Sequence, residues 1–220
     1  MVIQGCPSDG MQTCQFTFNV HRIASLKHSL NAPLNGSPPG CPPATANDVL
    51  MAIAACSLVP FETAQPLAHP TARLSVMADP RGRGLPADYF GNAAHAISLY
   101  VDWQVLQSRD LGLVVRTLRM QMDQALEALY VTCKTDPQPA PEQPALLYWN
   151  SWGRAQGMLG ADFGAGLRRF EWLNLLRLEC ERVYIVVPVD KDNFMLQVTL
   201  PRVQMEHLAL VWQAFLPVEP

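Results

Sequence analysis

The chain has 220 residues, 49% of them hydrophobic and only 16% charged, which is enough apolar material for a substantial core and excludes a disordered polymer. A formal net charge of −3 with no run of Lys or Arg gives no electrostatic footprint for nucleic acid or an anionic membrane surface, so neither is expected as a partner. Six scattered cysteines, with no Cys-x-x-Cys pair and no histidine at ligand spacing, indicate neither a zinc site nor a disulfide framework and fit reduced thiols in the cytoplasm.

The first residues, "MVIQGCPSDG", lack a basic start and an apolar core, and read as a connector of about 12 residues. "CQFTFNV" then alternates as a half-buried strand does, and "HRIASLKHSL" places Ile23, Leu26 and Leu30 at helical spacing. "NAPLNGSPPGCPP" is a loop by its Pro and Gly content. The next segment, "TANDVLMAIAACSL", has capping candidates in Thr45, Asn47 and Asp48 ahead of small and apolar residues on every face, which predicts a deeply buried central helix. The longest apolar run, "VLMAIAACSLV", is well short of the roughly 18 residues that span a bilayer.

"ARLSVMA" and "AAHAISLYV" read as strands on either side of "DPRGRGLPADYFGN". Leu111, Val114, Val115, Leu118, Met122, Leu126 and Leu129 form the clearest helical stripe, from Asp110 to about Cys133. A second loop, "TDPQPAPEQP", leads to the strand "ALLYWN". "VYIVVPV" and "FMLQVTL" flank the turn "DKDN", with Phe194, Leu196, Val198 and Leu200 on one face, and a helix follows through "VQMEHLALVWQAF". No internal repeat or strong domain boundary interrupts this order, so a single domain over residues 1–220 is expected.

The usual short catalytic signatures are absent: there is no nucleophile elbow, phosphate-binding loop or zinc-protease helix. His21, His28, His69, His95 and His207 are potential bases because imidazole titrates near neutral pH, but none has a carboxylate at a telling spacing. Asp79, Arg81 and Arg83 cluster beside a turn, and Asp162 lies in a glycine-flanked bend, so an ion pair between these segments is expected. On spacing alone a solvated surface pair is the commoner outcome. Trp152 lies just past a strand, where its indole N–H can face a cleft or pack in a core.

In order, "F-x-F", "ANDVLMA", "DPRGRGLPADYFGN", "SWGR", "DFGAG" and the closing "RVYIVVPVDKDNFMLQVTLPRVQMEHL" resemble the second half of the BAHD-type acyl-coenzyme A transferases, in particular the fungal branch with the trichothecene acetyltransferases. The resemblance implies an α/β fold of two-layer α+β type, a chloramphenicol-acetyltransferase-like domain with a mixed β-sheet and flanking helices. It also implies acyl-coenzyme A as cosubstrate, with no covalently bound cofactor and no metal, and a small hydroxylated secondary metabolite as acceptor. The family's base, the His of His-x-x-x-Asp, belongs to the first half, and none of the five histidines here is followed by Asp at the fourth place, so no catalytic residue is assigned to this chain.

By the same resemblance, Asn150, Ser151 and Trp152 bind the acceptor side. Asp79, Arg81, Arg83, Tyr89, Phe90, Gly91, Asn92, Asp162, Phe163, Gly164 and Gly166 are architectural. Two departures stand out: relatives more often carry Ser or Thr where Asn150 stands, and Trp where Ala165 stands. The expected partner is a chain bearing the first half, or a homo-oligomer. The competing expectation is a non-catalytic, acyltransferase-like binding or partner module.

Overall fold

The computed structural model describes residues 2–5, 10–32, 42–63, 67–88, 90, 93–132, 143–152 and 182–215. It contains, in chain order, β1 (Val2–Gly5), β2 (Met11–Asn19), α1 (Val20–Asn31), α2 (Ala46–Glu62), β3 (Thr71–Ala78), β4 (His95–Asp102), α3 (Trp103–Gln107), α4 (Leu111–Thr132), β5 (Ala145–Ser151), β6 (Val183–Pro188), β7 (Asn193–Pro201) and α5 (Arg202–Phe215). Two compact units result, Met1–Leu26 with Asn150–Pro220, and Lys27–Trp149.

In the first unit the strands run in the order β1-β2-β7-β6, every pair antiparallel. Strand alternation puts Cys14, Phe16 and Phe18 on the face of Leu196, Val198, Tyr184 and Val186, all buried. α5 covers this face with the period-3.6 set Met205, Leu208 and Trp212; the Trp212 and Phe18 rings lie 4.7 Å apart, tilted at 38°. The β6–β7 turn closes as its residues dictate. The Asp190 carboxylate accepts from the Asp192 backbone N–H at 2.7 Å and from Asn193 Nδ2, and the Asn193 bond foremost holds Asp190 below the usual carboxylate range.

The opposite face of β2 and β7 departs from the amphipathic reading. Gln197 and Thr199, between the apolar positions of "FMLQVTL", are buried as well. They are satisfied across the ladder, Thr13 Oγ1 to Thr199 Oγ1 at 2.8 Å and Gln15 Nε2 to Gln197 Oε1 at 3.0 Å, because a buried polar group without a partner is costly.

In the second unit β3 is central, antiparallel to β4 and parallel to β5. Its even positions Ala72, Leu74 and Val76 share a face with Ile97, Leu99, Val101, Leu147 and Trp149, and helices α2 and α4 complete the core. α2 is buried from Asp48 through Ala55, as a helix apolar on every side requires. Its start is a capping box: Asp48 accepts from the Thr45 backbone N–H at 2.7 Å while Thr45 Oγ1 accepts from the Asp48 N–H. The short α3, capped by Asp102 through Gln104 N–H at 2.7 Å, buries Trp103 and Leu106 in a stretch to which the sequence reading assigns no element.

The residues thus form a mixed-sheet α/β fold with flanking helices. Among the described residues no helix is long and apolar enough to cross a membrane.

Candidate functional site

The parallel pairing of β3 and β5 carries both strands toward the same edge of the second unit, with Val76 opposite Trp149. Carboxyl ends of parallel strands are where α/β sheets place their ligands. Past Trp149 the chain continues as Asn150, Ser151 and Trp152; past Val76 it continues to Asp79 and the turn. Asn150 and Ser151 are half-buried, and Trp152 is 37% exposed, so its indole is not a core ring. The Trp152 backbone is nevertheless fixed, its N–H donating to the Val186 carbonyl of β6 at 2.8 Å.

The turn after β3 folds around the Pro80 carbonyl, which accepts from the backbone N–H groups of Arg83 (3.1 Å), Gly84 (2.9 Å) and Leu85 (3.1 Å). Gly82 closes it with φ +79°, where an L side chain is strained. Its absent side chain would have room, meeting only Ala87 Cβ at 4.0 Å, so the penalty of Gly82→Ala is conformational and not steric. The variant is expected to lose about 1–2 kcal/mol of stability in a urea titration.

The two arginines of this turn take different partners. Arg81 binds Asp79 twice, its backbone N–H to Oδ1 at 3.0 Å and Nη1 to Oδ2 at 2.8 Å. With side chains 36% and 51% exposed this pair is solvated and contributes about 0–1 kcal/mol. Arg83 instead reaches Tyr130 of α4: Nη1 donates to the hydroxyl at 3.3 Å and the guanidinium carbon lies 5.3 Å from the ring centroid. Sequence reading missed Tyr130, which stands 47 residues away in a helix with no local signal. Phe90 is wholly exposed. Tyr89, Gly91, Asn92, Asp162, Phe163, Gly164 and Gly166, and with Asp162 the expected pair to Arg81 or Arg83, lie outside the described residues.

The histidines supply no assembled base among the described residues. His21 stands 3.8 Å from Asp192, a pairing invisible in the sequence, but its side chain is 80% exposed and the contact is a solvated one. His28 and His69 are exposed, and His95 and His207 half-buried. No group of three or more His, Cys, Asp or Glu among the described residues is arranged to hold a metal.

Thiol chemistry is disfavoured at Cys14 and Cys56. Burial pushes the Cys56 thiol up to about 11 and raises Cys14 as well. At pH 8 Cys56 is then roughly 0.1% thiolate, and its alkylation by iodoacetamide is expected to run about a hundredfold slower than that of an unfolded control. Because the folded value is the higher one, the stabilisation is whole below about pH 9 and is lost as pH rises toward 11.

No family model and no curated protein matches the sequence. Solved structures do match in fold. TRI101 of F. graminearum, complexed with coenzyme A and deoxynivalenol, aligns with a TM-score of 0.67 at 18% identity over 94% of this chain and 48% of that one. Vinorine synthase aligns at 0.66 and 16% identity over 96% and 49%. The epimerization domain from the third module of tyrocidine synthetase B aligns at 0.55 and 11% identity over 97% and 49%. The chain therefore has the fold of these structures, a chloramphenicol-acetyltransferase-like mixed sheet with flanking helices, and it spans about half the length of the solved structures it matches.

Proposed function

We propose that this chain is the C-terminal domain, over residues 1–220, of a coenzyme A-dependent O-acyltransferase of the BAHD type, similar to the trichothecene acetyltransferases and acting in the cytoplasm on a hydroxylated secondary metabolite. The observation that carries this reading is the match of nearly the whole chain to one half of TRI101 in complex with coenzyme A and deoxynivalenol, together with the order of the family's motifs along the sequence. Shared fold alone is weaker support, since an epimerization domain has it too.

In this reading the base comes from a His-x-x-x-Asp element outside the chain. It takes the proton from the acceptor hydroxyl as the oxygen attacks the thioester carbonyl, and collapse of the tetrahedral intermediate breaks the C–S bond and releases coenzyme A thiolate, which is then protonated. This chain contributes Asn150, Ser151 and Trp152. Side-chain N–H donors of Asn150 and Trp152 hold the acceptor and the developing oxyanion, and their value lies in being fixed before the charge appears. The exposed indole and the anchored backbone of Trp152 support that role. Asn150, longer than Ser or Thr, narrows the acceptor side.

The test is transfer of the acetyl group from acetyl-coenzyme A to a trichothecene or another hydroxylated acceptor, by the chain alone and with an added first half bearing His-x-x-x-Asp. Background rates alone and turnover with the added half are expected. The second reading, a non-catalytic binding module, is favoured by the five histidines that all lack the partnering Asp. Persistent inactivity with every added half, alongside saturable binding of an apolar metabolite, selects it.

A further inference from the structure

Arg73 is an unusual residue for the middle of a strand. It is 7% exposed, yet among the described residues no carboxylate stands within ion-pair distance of it. Its guanidinium is held by neutral acceptors: Nε donates to the Gln143 carbonyl at 2.6 Å and Nη1 to Ser98 Oγ at 3.3 Å. Gln143 is itself fixed, its Nε2 donating to the Thr71 carbonyl at 2.6 Å. A charge withdrawn from water and not neutralised is costly, and here it is aimed and braced.

Three of the five guanidinium N–H groups have no acceptor among the described residues, and Nη2 is not sealed from solvent. The sheet surrounds them with hydroxyls. On the face away from α2 and α4, Arg73 pairs across the ladder with Tyr100, and Ser75 pairs with Ser98 on one side and Tyr148 on the other. Tyr100 and Tyr148 are each 42% exposed, so the rim of this face is reached by solvent, whereas Arg73 and Ser75 are buried at its floor.

We infer that Arg73, with the hydroxyls of Ser75 and Ser98, forms an oxyanion site that takes the phosphate or carboxylate group of a small molecule. The guanidinium fork supplies parallel N–H donors and the charge, and the serine hydroxyls supply further donors at a tetrahedral or planar oxyanion. Ser98 still has its own O–H to give, since its oxygen accepts from Arg73. The inference is independent of the acyl-transfer reading, because all three residues belong to the unit Lys27–Trp149 and none is assigned to the acceptor.

The experiment is thermal denaturation of the intact chain in sodium phosphate and, separately, sodium acetate, against sodium chloride at matched ionic strength. At ten times its dissociation constant the fitting anion is expected to raise the midpoint by roughly 3–6 °C. Arg73→Gln is expected to abolish the rise and Ser98→Ala to reduce it; if Arg73→Gln does not fold, Arg73→Lys and Ser98→Ala carry the test. A shift with phosphate, acetate or both that depends on these residues supports the site and says which oxyanion it takes. No shift with either anion, or equal shifts in wild type and variants, overturns it.

Discussion

Replacing Asp48 by alanine is expected to cost about 3–5 kcal/mol of folding stability, the scale of removing one partner from a buried, hydrogen-bonded ion pair. Asp48 is 1% exposed, and its Oδ2 accepts from the Thr45 N–H at 2.7 Å, from Thr45 Oγ1 at 2.8 Å and from Arg119 Nη1 at 3.4 Å. Alanine removes the carboxylate half of the capping box, leaving the Thr45 Oγ1 bond to the backbone N–H of residue 48, and takes one of two acidic partners from Arg119, whose side chain is 14% exposed and whose Nε has no partner among the described residues. Asp123, one turn further along α4, still pairs with Arg119 and softens the loss. Asp48→Asn keeps the volume and one acceptor, so it should fall between. Urea midpoints decide it: an alanine variant within about 1 kcal/mol of wild type would show that this network does not hold α2 in place.

The second large effect belongs to Trp152. In an acyltransferase reconstituted from this chain and a first half, Trp152→Ala is expected to lower kcat/KM by about 10²–10³, the scale of losing a fixed donor to an oxyanion or the orientation of an acceptor. Some stability is expected to be lost with it, because a side chain 37% exposed still buries most of its ring, so the rates are compared at a temperature where both proteins are folded. The split between constants is informative: a fall in kcat with KM unchanged marks an interaction made only in the transition state, and a rise in KM alone marks acceptor binding. Unchanged kinetics remove Trp152 from the site.

Much of the fold was legible because period and capping agreed. α2 announced itself by Thr45 and Asp48 ahead of an unbroken apolar run, and the β6–β7 hairpin by alternation around Asp190 and Asn193. α3 was missed because "VDWQVL" has strand-like residues and only the Asp102 cap turns it. β1 was missed because "VIQG" is too short for any period to show. The buried Gln197 and Thr199 read as solvent-facing, and only their partners on β2, far away in sequence, reveal otherwise.

The candidate site was less legible. Asn150–Trp152 at the end of a strand carry no short motif, and only resemblance singled them out. Arg73 looked like an ordinary polar residue in "ARLSV", since nothing local says that its charge is buried without a carboxylate. Arg83 was grouped with Asp79, but the chain turns it to Tyr130.

Whether the base acts from outside this chain is decided by the acetyl-transfer rate of the reconstituted enzyme with His21, His28, His69, His95 and His207 each replaced by alanine, beside a first half whose motif histidine is replaced. Each of the five is expected to stay within a few-fold of wild type, and the first-half variant to fall by about 10²–10⁴. Loss of transfer on replacing one histidine of this chain, with the first-half variant still active, would contradict it.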